Sequence, residues 1–325
     1  MNSINKQTLK LRNLSVSFKI DKETFKVVDD VSFHINKGEI LGLVGESGSG
    51  KSVTALSIMR LIPSPPGKIE GGQILFNGEN VLSLPPDKMR KIRGRQISMI
   101  FQEPMTALSP LHKIGSQLVE TISLHKKINK KEAFEIAEEW LKKVGISDVS
   151  QRLYSYPHEL SGGMLQRVMI AMALMLSPQL IIADEPTTAL DVTIQAQIFD
   201  LLLQIKNENS SLLLITHDMG VIWEMCDKMI VMYASRIVEE GPVKEIFASP
   251  AHPYTKGLLK SIPMLSKNTE RLPVIPGQVP SPSEYPPGCH FVDRCSYAVE
   301  KCKTEKPVLK QITDKRKSAC FLDFL

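Results

Sequence analysis

Residues Gly45 to Ser52 read GESGSGKS and constrain the chain more than any other stretch. They fit the phosphate-loop pattern G-x-x-x-x-G-K-[S/T] at every fixed position. Before them, Ile40-Leu41-Gly42-Leu43-Val44 is a short apolar run that reads as a buried parallel strand. After them, Val53 to Leu61 has helix-forming character and ends before Pro63, which cannot continue a helix. Gly45, Gly48 and Gly50 let backbone N–H groups curl around phosphate oxygens without Cβ clashes. The helix dipole adds roughly 0.3–1 kcal/mol per charge, so it assists but does not suffice. Lys51 is expected to reach the β- and γ-phosphates and the Ser52 hydroxyl to ligate Mg²⁺. A plain glycine turn entering a helix is the blander reading; strand, loop and helix occurring together argue against it.

The 325 residues suggest about two domains and can bury a full core. Hydrophobic content of 42% with 23% charged residues is ordinary for a soluble globular protein. The longest strongly apolar run, Val168 to Leu176, is far below the ~18 residues needed to span a bilayer. The opening MNSINKQTLKL has no apolar core region, so no secretory signal is expected and any membrane association is expected to be peripheral. A net charge of +5 is mild; it suits an anionic surface or nucleic acid, and a solvated surface explains it equally well.

In chain order, Leu9, Leu11, Leu14, Val16 and Phe18 suggest an early strand, followed by a polar turn at Asp21 to Thr24. Val31, Phe33 and Ile35 then alternate on one face of a second strand. Pro63 to Gly67 is a loop, and Gln73 to Phe76 a strand before the turn Asn77-Gly78. From about Glu103 to His158 the texture is helical. Ala133, Ala137 and Leu141 recur at i, i+4, as do Ile136, Trp140 and Val144. Apolar strands return at Leu180 to Ala183, Leu212 to Thr216 and Lys228 to Tyr233. Such alternation argues for a mostly parallel sheet with helices around it. Beyond about Pro250 prolines punctuate a stretch of little periodicity, expected to form loops and short elements held by something other than a large core.

Two further stretches carry chemistry. Leu180 to Glu185, LIIADE, is an apolar strand ending in two acids. Nucleotide hydrolysis needs a carboxylate for Mg²⁺, which suits Asp184, and a group for the attacking water, which suits Glu185. Alone this motif is weak, because many parallel strands end in an acid; beside a phosphate loop it is strong. Leu160 to Arg167, LSGGMLQR, opens a helix running to Leu176. Ser161 is a plausible N-cap, and the two glycines leave amides exposed at a positive helix end. The bland reading is a capped helix; the sharper one is a second γ-phosphate site.

GESGSGKS, Gln102 in FQEP, LSGGMLQR, LIIADEP, Ala189-Leu190-Asp191 and His217 in ITHD occur in the order and spacing of an ABC-type ATPase, and residues 8–245 resemble that family. The resemblance implies a P-loop NTPase of the α/β class. Its parts would be a mostly parallel core sheet, an antiparallel N-terminal β-subdomain, an inserted helical subdomain at about 103–165 and a loop-rich, cysteine-containing C-terminal extension. The nucleotide-binding domain would span 1–249 and the extension 250–325. The resemblance implies that Phe18 stacks on adenine and that Gly45, Ser47, Gly48, Ser49, Gly50, Lys51, Ser52, Val53 and Gln102 bind ATP. It gives Mg²⁺ to Ser52, Gln102 and Asp184, and catalysis to Glu185 as base and His217 as γ-phosphate switch. Ser161, Gly162, Gly163, Gln166 and Asp191 would serve the ATP of an opposite subunit. One departure is Leu165, where close relatives usually carry arginine.

His252-Pro253-Tyr254-Thr255 and PPGCHFVDRC resemble the C-terminal extension of oligopeptide/dipeptide and nickel permease ATPases. His252 is expected to pack beside Pro253 and Tyr254 rather than to ligate. Cys226 reads as a buried core thiol. Cys289, Cys295, Cys302 and Cys320, spaced C-x5-C-x6-C-x17-C, lack the C-x2-C knuckle of a zinc ribbon. The resemblance implies a 4Fe-4S cluster on these four, with zinc and free thiols as the alternatives.

The implied whole is an ATP-hydrolysing subunit of a di-/oligopeptide ABC importer, peripheral on the cytoplasmic side of the cell membrane. Implied partners are a homologous second ATPase in a heterodimer, two integral membrane permease subunits and an extracellular substrate-binding protein, with no nucleic acid. Two alternatives stand beside it: a nickel or metal-chelate importer, and a soluble ABC ATPase acting on nucleic acid.

Overall fold

A computed structural model of the chain describes residues 7–187, 192–206, 210–261 and 274–322. Contacts divide it into two compact units. One comprises residues 1–8, 35–39 and 83–214; the other comprises 9–34, 40–82 and 215–325.

The second unit carries the phosphate loop. Its first sheet is antiparallel: Gln7–Ile20 lies between Glu23–Asn36 and Gly67–Phe76, and the short strand Glu79–Asn80 closes the order. Leu9 pairs with Phe76 and Phe18 with Gly67. The apolar spacing shifts from Leu9 and Leu11 to Leu14 and Val16 because the register slips between Arg12 and Ser15. Asn13 turns there at φ 49° opposite Gly72 at φ 98°, and all four apolar side chains stay buried. The strand expected at Gln73 begins earlier, at Gly67.

The unit's other strands include Ile40–Val44, entirely buried and parallel to Lys228–Tyr233. A continuous apolar run suits this position, covered on both faces. Lys228–Tyr233 turns back through Ala234 and Ser235, both at positive φ, into Arg236–Pro242, which pairs antiparallel with it. Arg316–Ser318 and then Lys310–Thr313 extend the ladder, so the C-terminal stretch contributes strands as well as loops.

The first unit pairs Ile97–Ile100 in parallel with Leu180–Asp184, whose other neighbour is Ser211–Ile215. The expected helical stretch comprises Pro104–Ala107, Ile114–Ser123, Lys130–Lys143 and Val149–Arg152. In Lys130–Lys143 the i, i+4 row Ala133, Ala137 and Leu141 is fully buried. Asn129 and Glu132 form a reciprocal capping box at its start. Past its end, the buried Arg167 donates to the carbonyls of Val144, at 3.2 Å, and Gly145, at 2.6 Å. Among the described residues no helix is long and apolar enough to cross a membrane.

Candidate functional site

The phosphate loop joins the buried strand Ile40–Val44 to the helix Lys51–Ile58. That helix starts two residues earlier than its composition suggests, because Gly50 caps it in the left-handed region at φ 101°. It ends earlier too, where Arg60 turns left-handed at φ 51°. Gly45 and Gly50 are required by space as well as by φ. A Cβ on Gly45 would lie 2.2 Å from the Met232 carbonyl oxygen, and one on Gly50 2.5 Å from that of Val27. At Gly48 the space is open and only φ, at 79°, selects glycine.

Lys51 is almost wholly buried, and its ammonium donates to the carbonyls of Gly45 at 2.7 Å and Glu46 at 2.9 Å. Ser49 is fully buried, and its carbonyl accepts from the Ser235 amide at 3.1 Å. Ser47 and Gly48 are exposed, while Ser52 and Val53 at the helix start are half-buried. A loop in which Gly45 and Gly50 leave no room for side chains, beside the lysine Lys51, fits a polyphosphate.

Phe18 is half-buried at the end of Gln7–Ile20, with its ring against Gly67. His217 is exposed between Ser211–Ile215 and the helix Met219–Met225, whose N-cap Asp218 accepts from the Gly220 amide at 2.8 Å.

The first unit carries Gln102 and Asp184 of the expected metal residues together with the expected base Glu185, while Ser52 belongs to the other. Asp184 ends its strand nearly buried, and Glu185 follows at φ 46°, a strained value for a residue with a side chain. The Gln102 side-chain amide donates to the Glu185 carboxylate at 3.4 Å. Ser161 caps the helix Gly162–Leu174 by accepting from the Met164 amide at 3.3 Å. Ser161 and Gly162 are exposed and Gly163 half-exposed, as an outward-facing amide site requires. Gln166 differs: it is fully buried and its amide donates to the Pro186 carbonyl, so it holds the turn after Glu185 rather than facing outward. Leu165 is buried as well. Asp191 lies outside the described residues.

His252 is buried, as its neighbours suggested. Its Nδ1 accepts from the Tyr254 amide at 3.1 Å, and burial pushes its pKa down to about 3. Cys226 is likewise a buried thiol. The four C-terminal cysteines do not meet the expectation of a 4Fe-4S cluster. Among the described residues no three His, Cys, Asp or Glu side chains form a set able to hold a metal ion. Burial raises the Cys289 thiol to about 11 and shifts Cys295 and Cys320 upward, and the neighbouring cysteines add to each shift. A buried carboxylate anchors the extension. Glu239, fully buried, accepts from the Ala251 amide at 2.9 Å, the His252 amide at 3.0 Å and Arg316 at 2.9 Å.

Sequence reasoning missed the residues that support the phosphate loop from a distance, Met232 and Tyr254. The only signal was Tyr254 in the HPYT stretch, a family mark with no mechanism attached.

Comparison with known proteins gives two family matches: ABC transporter over residues 28–188, and oligopeptide/dipeptide transporter, C-terminal region, over 238–302. The probable peptide ABC transporter ATP-binding protein y4tR of Sinorhizobium fredii is 50% identical over 315 residues, covering 96% of this chain and 94% of that one. The oligopeptide transport ATP-binding protein AppD of Bacillus subtilis is also 50% identical, covering 97% and 96%. A dimeric post-hydrolysis structure of the ATP-binding cassette MJ0796, bound to ADP and phosphate, is similar with a TM-score of 0.66. Its sequence identity is 28%, and the match covers 72% of this chain and 98% of that one.

Proposed function

Because the chain belongs to the family of ABC transporter ATP-binding proteins, which hydrolyse ATP, we propose that it powers a di-/oligopeptide importer from the cytoplasmic face of the cell membrane. The observation that carries the peptide assignment is the second match, at residues 238–302, together with near full-length identity to peptide-transport relatives. In this reading residues 1–249 form the nucleotide-binding domain and 250–325 the extension.

The amides from Gly45 to Val53 and the Lys51 ammonium receive the phosphates of ATP, and Phe18 packs on adenine. Ser52, Asp184 and Gln102 hold Mg²⁺, which offsets charge on the phosphates. Glu185 orients and deprotonates the attacking water, and Gln102, within hydrogen-bond reach of its carboxylate, links metal to base. His217 contacts the γ-phosphate. Ser161, Gly162 and Gly163 present amides to ATP held by a second, homologous ATPase, and Asp191 crosses to it. Gln166 supports the turn that presents Glu185. ATP and Mg²⁺ are the cofactors of this function; no step passes through the cysteines.

One chain has one phosphate loop and one LSGG stretch, so the working pair is a dimer, assigned here as a heterodimer. Two membrane-spanning subunits receive its motion and an extracellular binding protein delivers the peptide. Exposed Leu111, Leu124 and Tyr154 on the helical segment support that segment as the contact with a membrane partner. Affinity purification of the chain from detergent-solubilised membranes tests the assembly. Recovery of two integral membrane proteins with a second ATPase is expected; salt-sensitive recovery of nucleic acid instead would contradict it.

A further inference from the structure

Glu46, the second residue of the phosphate loop, is gripped by the C-terminal segment. Arg294 places one guanidinium nitrogen 3.0 and 3.1 Å from the two Glu46 carboxylate oxygens. The Glu46 amide donates to the Tyr254 hydroxyl at 2.8 Å, and its carbonyl accepts from Lys51. All three polar groups of this one loop residue are therefore engaged, two of them by residues more than two hundred positions away.

The grip is itself held firmly. The Arg294 side chain is 7% exposed; its Nε donates to the Pro276 carbonyl at 2.8 Å and its Nη1 to the Tyr233 hydroxyl at 3.4 Å. Tyr233, Tyr254 and Phe291 pack ring against ring with centroids 4.6 to 5.4 Å apart, and Arg294 lies over two of those rings. A planar, doubly hydrogen-bonded cation locked in an aromatic socket fixes a carboxylate in place, which a surface ion pair does not do.

We propose that Arg294, with Tyr254, is a positioning residue for ATP binding: it fixes Glu46, and through it the loop and Lys51, and it neutralises a carboxylate that would repel the phosphates. The inference rests on the phosphate loop being the ATP site. It gives the extension a role in the nucleotide cycle without any metal. The arginine within PPGCHFVDRC then acts on the loop it contacts, independently of the cysteines that flank it in sequence.

The test uses the full chain and a fluorescent ATP analogue with Mg²⁺, comparing wild type with Arg294→Ala, Arg294→Lys, Lys51→Ala and the double variant Arg294→Ala/Glu46→Gln. Arg294→Ala should weaken binding roughly 2- to 30-fold, the range of indirect couplings, and raise KM for ATP more than it lowers kcat. Arg294→Lys should fall between it and wild type. The double variant should bind better than Arg294→Ala alone, because the unpaired carboxylate is gone. Recovery of affinity per folded molecule, and not of folding yield alone, separates this role from a purely structural ion pair. Unchanged affinity in Arg294→Ala, with Lys51→Ala impaired, overturns the inference alone. Unchanged affinity in both removes the phosphate loop as the ATP site, and the inference with it. Should Arg294→Ala not fold, Arg294→Lys decides, and wild-type affinity there overturns the proposal.

Discussion

Glu185 follows a buried strand at φ 46°, where a residue with a side chain costs on the order of 1–3 kcal/mol. The turn is maintained from inside by Gln166, whose amide meets the Pro186 carbonyl. A strained backbone held by a buried side chain is the expected setting for a group that must point at one water molecule. Glu185→Gln should therefore keep ATP binding and lose at least about 100-fold in turnover, measured by phosphate release; near-wild-type turnover would remove Glu185 as the base. His252 makes a second prediction, about stability. Its pKa is about 3 when folded, against about 6.5 in the unfolded chain. A lowered folded pKa means its contribution is fully present above about pH 6.5 and is lost as pH falls toward 3, because the unfolded state takes up the proton first. Between pH 7 and pH 5 the loss is about 2 kcal/mol. In His252→Asn, which retains a capping group, denaturation midpoints should fall less over that interval than in wild type.

At the scale of elements, the helix Lys130–Lys143 depends on its start. Asn129 accepts from the Glu132 amide at 2.9 Å and Glu132 reaches back to the Asn129 amide. Asn129→Ala should cost about 1 kcal/mol in urea unfolding, with ATP turnover per folded molecule unchanged. This helix and the strand–loop–helix around Gly45 were legible in the sequence because period and cap, or strand and glycine spacing, lie within a few neighbouring residues. Ile97–Ile100 was not: four residues give no measurable period, and its buried Ser98 reads as polar. Arg236–Pro242 was hidden for a different reason. Its Glu239 and Glu240 look like a solvated pair, yet both are buried, Glu239 on Arg316 and Glu240 on Lys228 and Lys317. Partners that far along the chain leave no local pattern. The same holds for Arg294 and Glu46, 248 residues apart. The four cysteines err in the other direction, since the resemblance implies a ligand set there and among the described residues no three such side chains form a group able to hold a metal ion.

At the scale of the whole chain, chemistry-bearing residues belong to both compact units. The phosphate loop, Phe18 and His217 fall in one, while Gln102, Asp184, Glu185 and the LSGG stretch fall in the other. With a single LSGG stretch per chain, ATP should promote pairing with the second ATPase, and most strongly in Glu185→Gln, where hydrolysis cannot reset the pair. Light scattering of the mixed subunits with and without Mg-ATP should show that shift. Whether this ATPase drives peptide import is read from uptake into cells whose only copy is wild type or Glu185→Gln. Labelled dipeptide, labelled tetrapeptide and radioactive nickel would be supplied in parallel. Peptide should accumulate with wild type and stay at background with Glu185→Gln, and nickel entry should depend on neither. Peptide entry that persists in Glu185→Gln, or nickel entry that alone follows the wild-type chain, would contradict a role in peptide import.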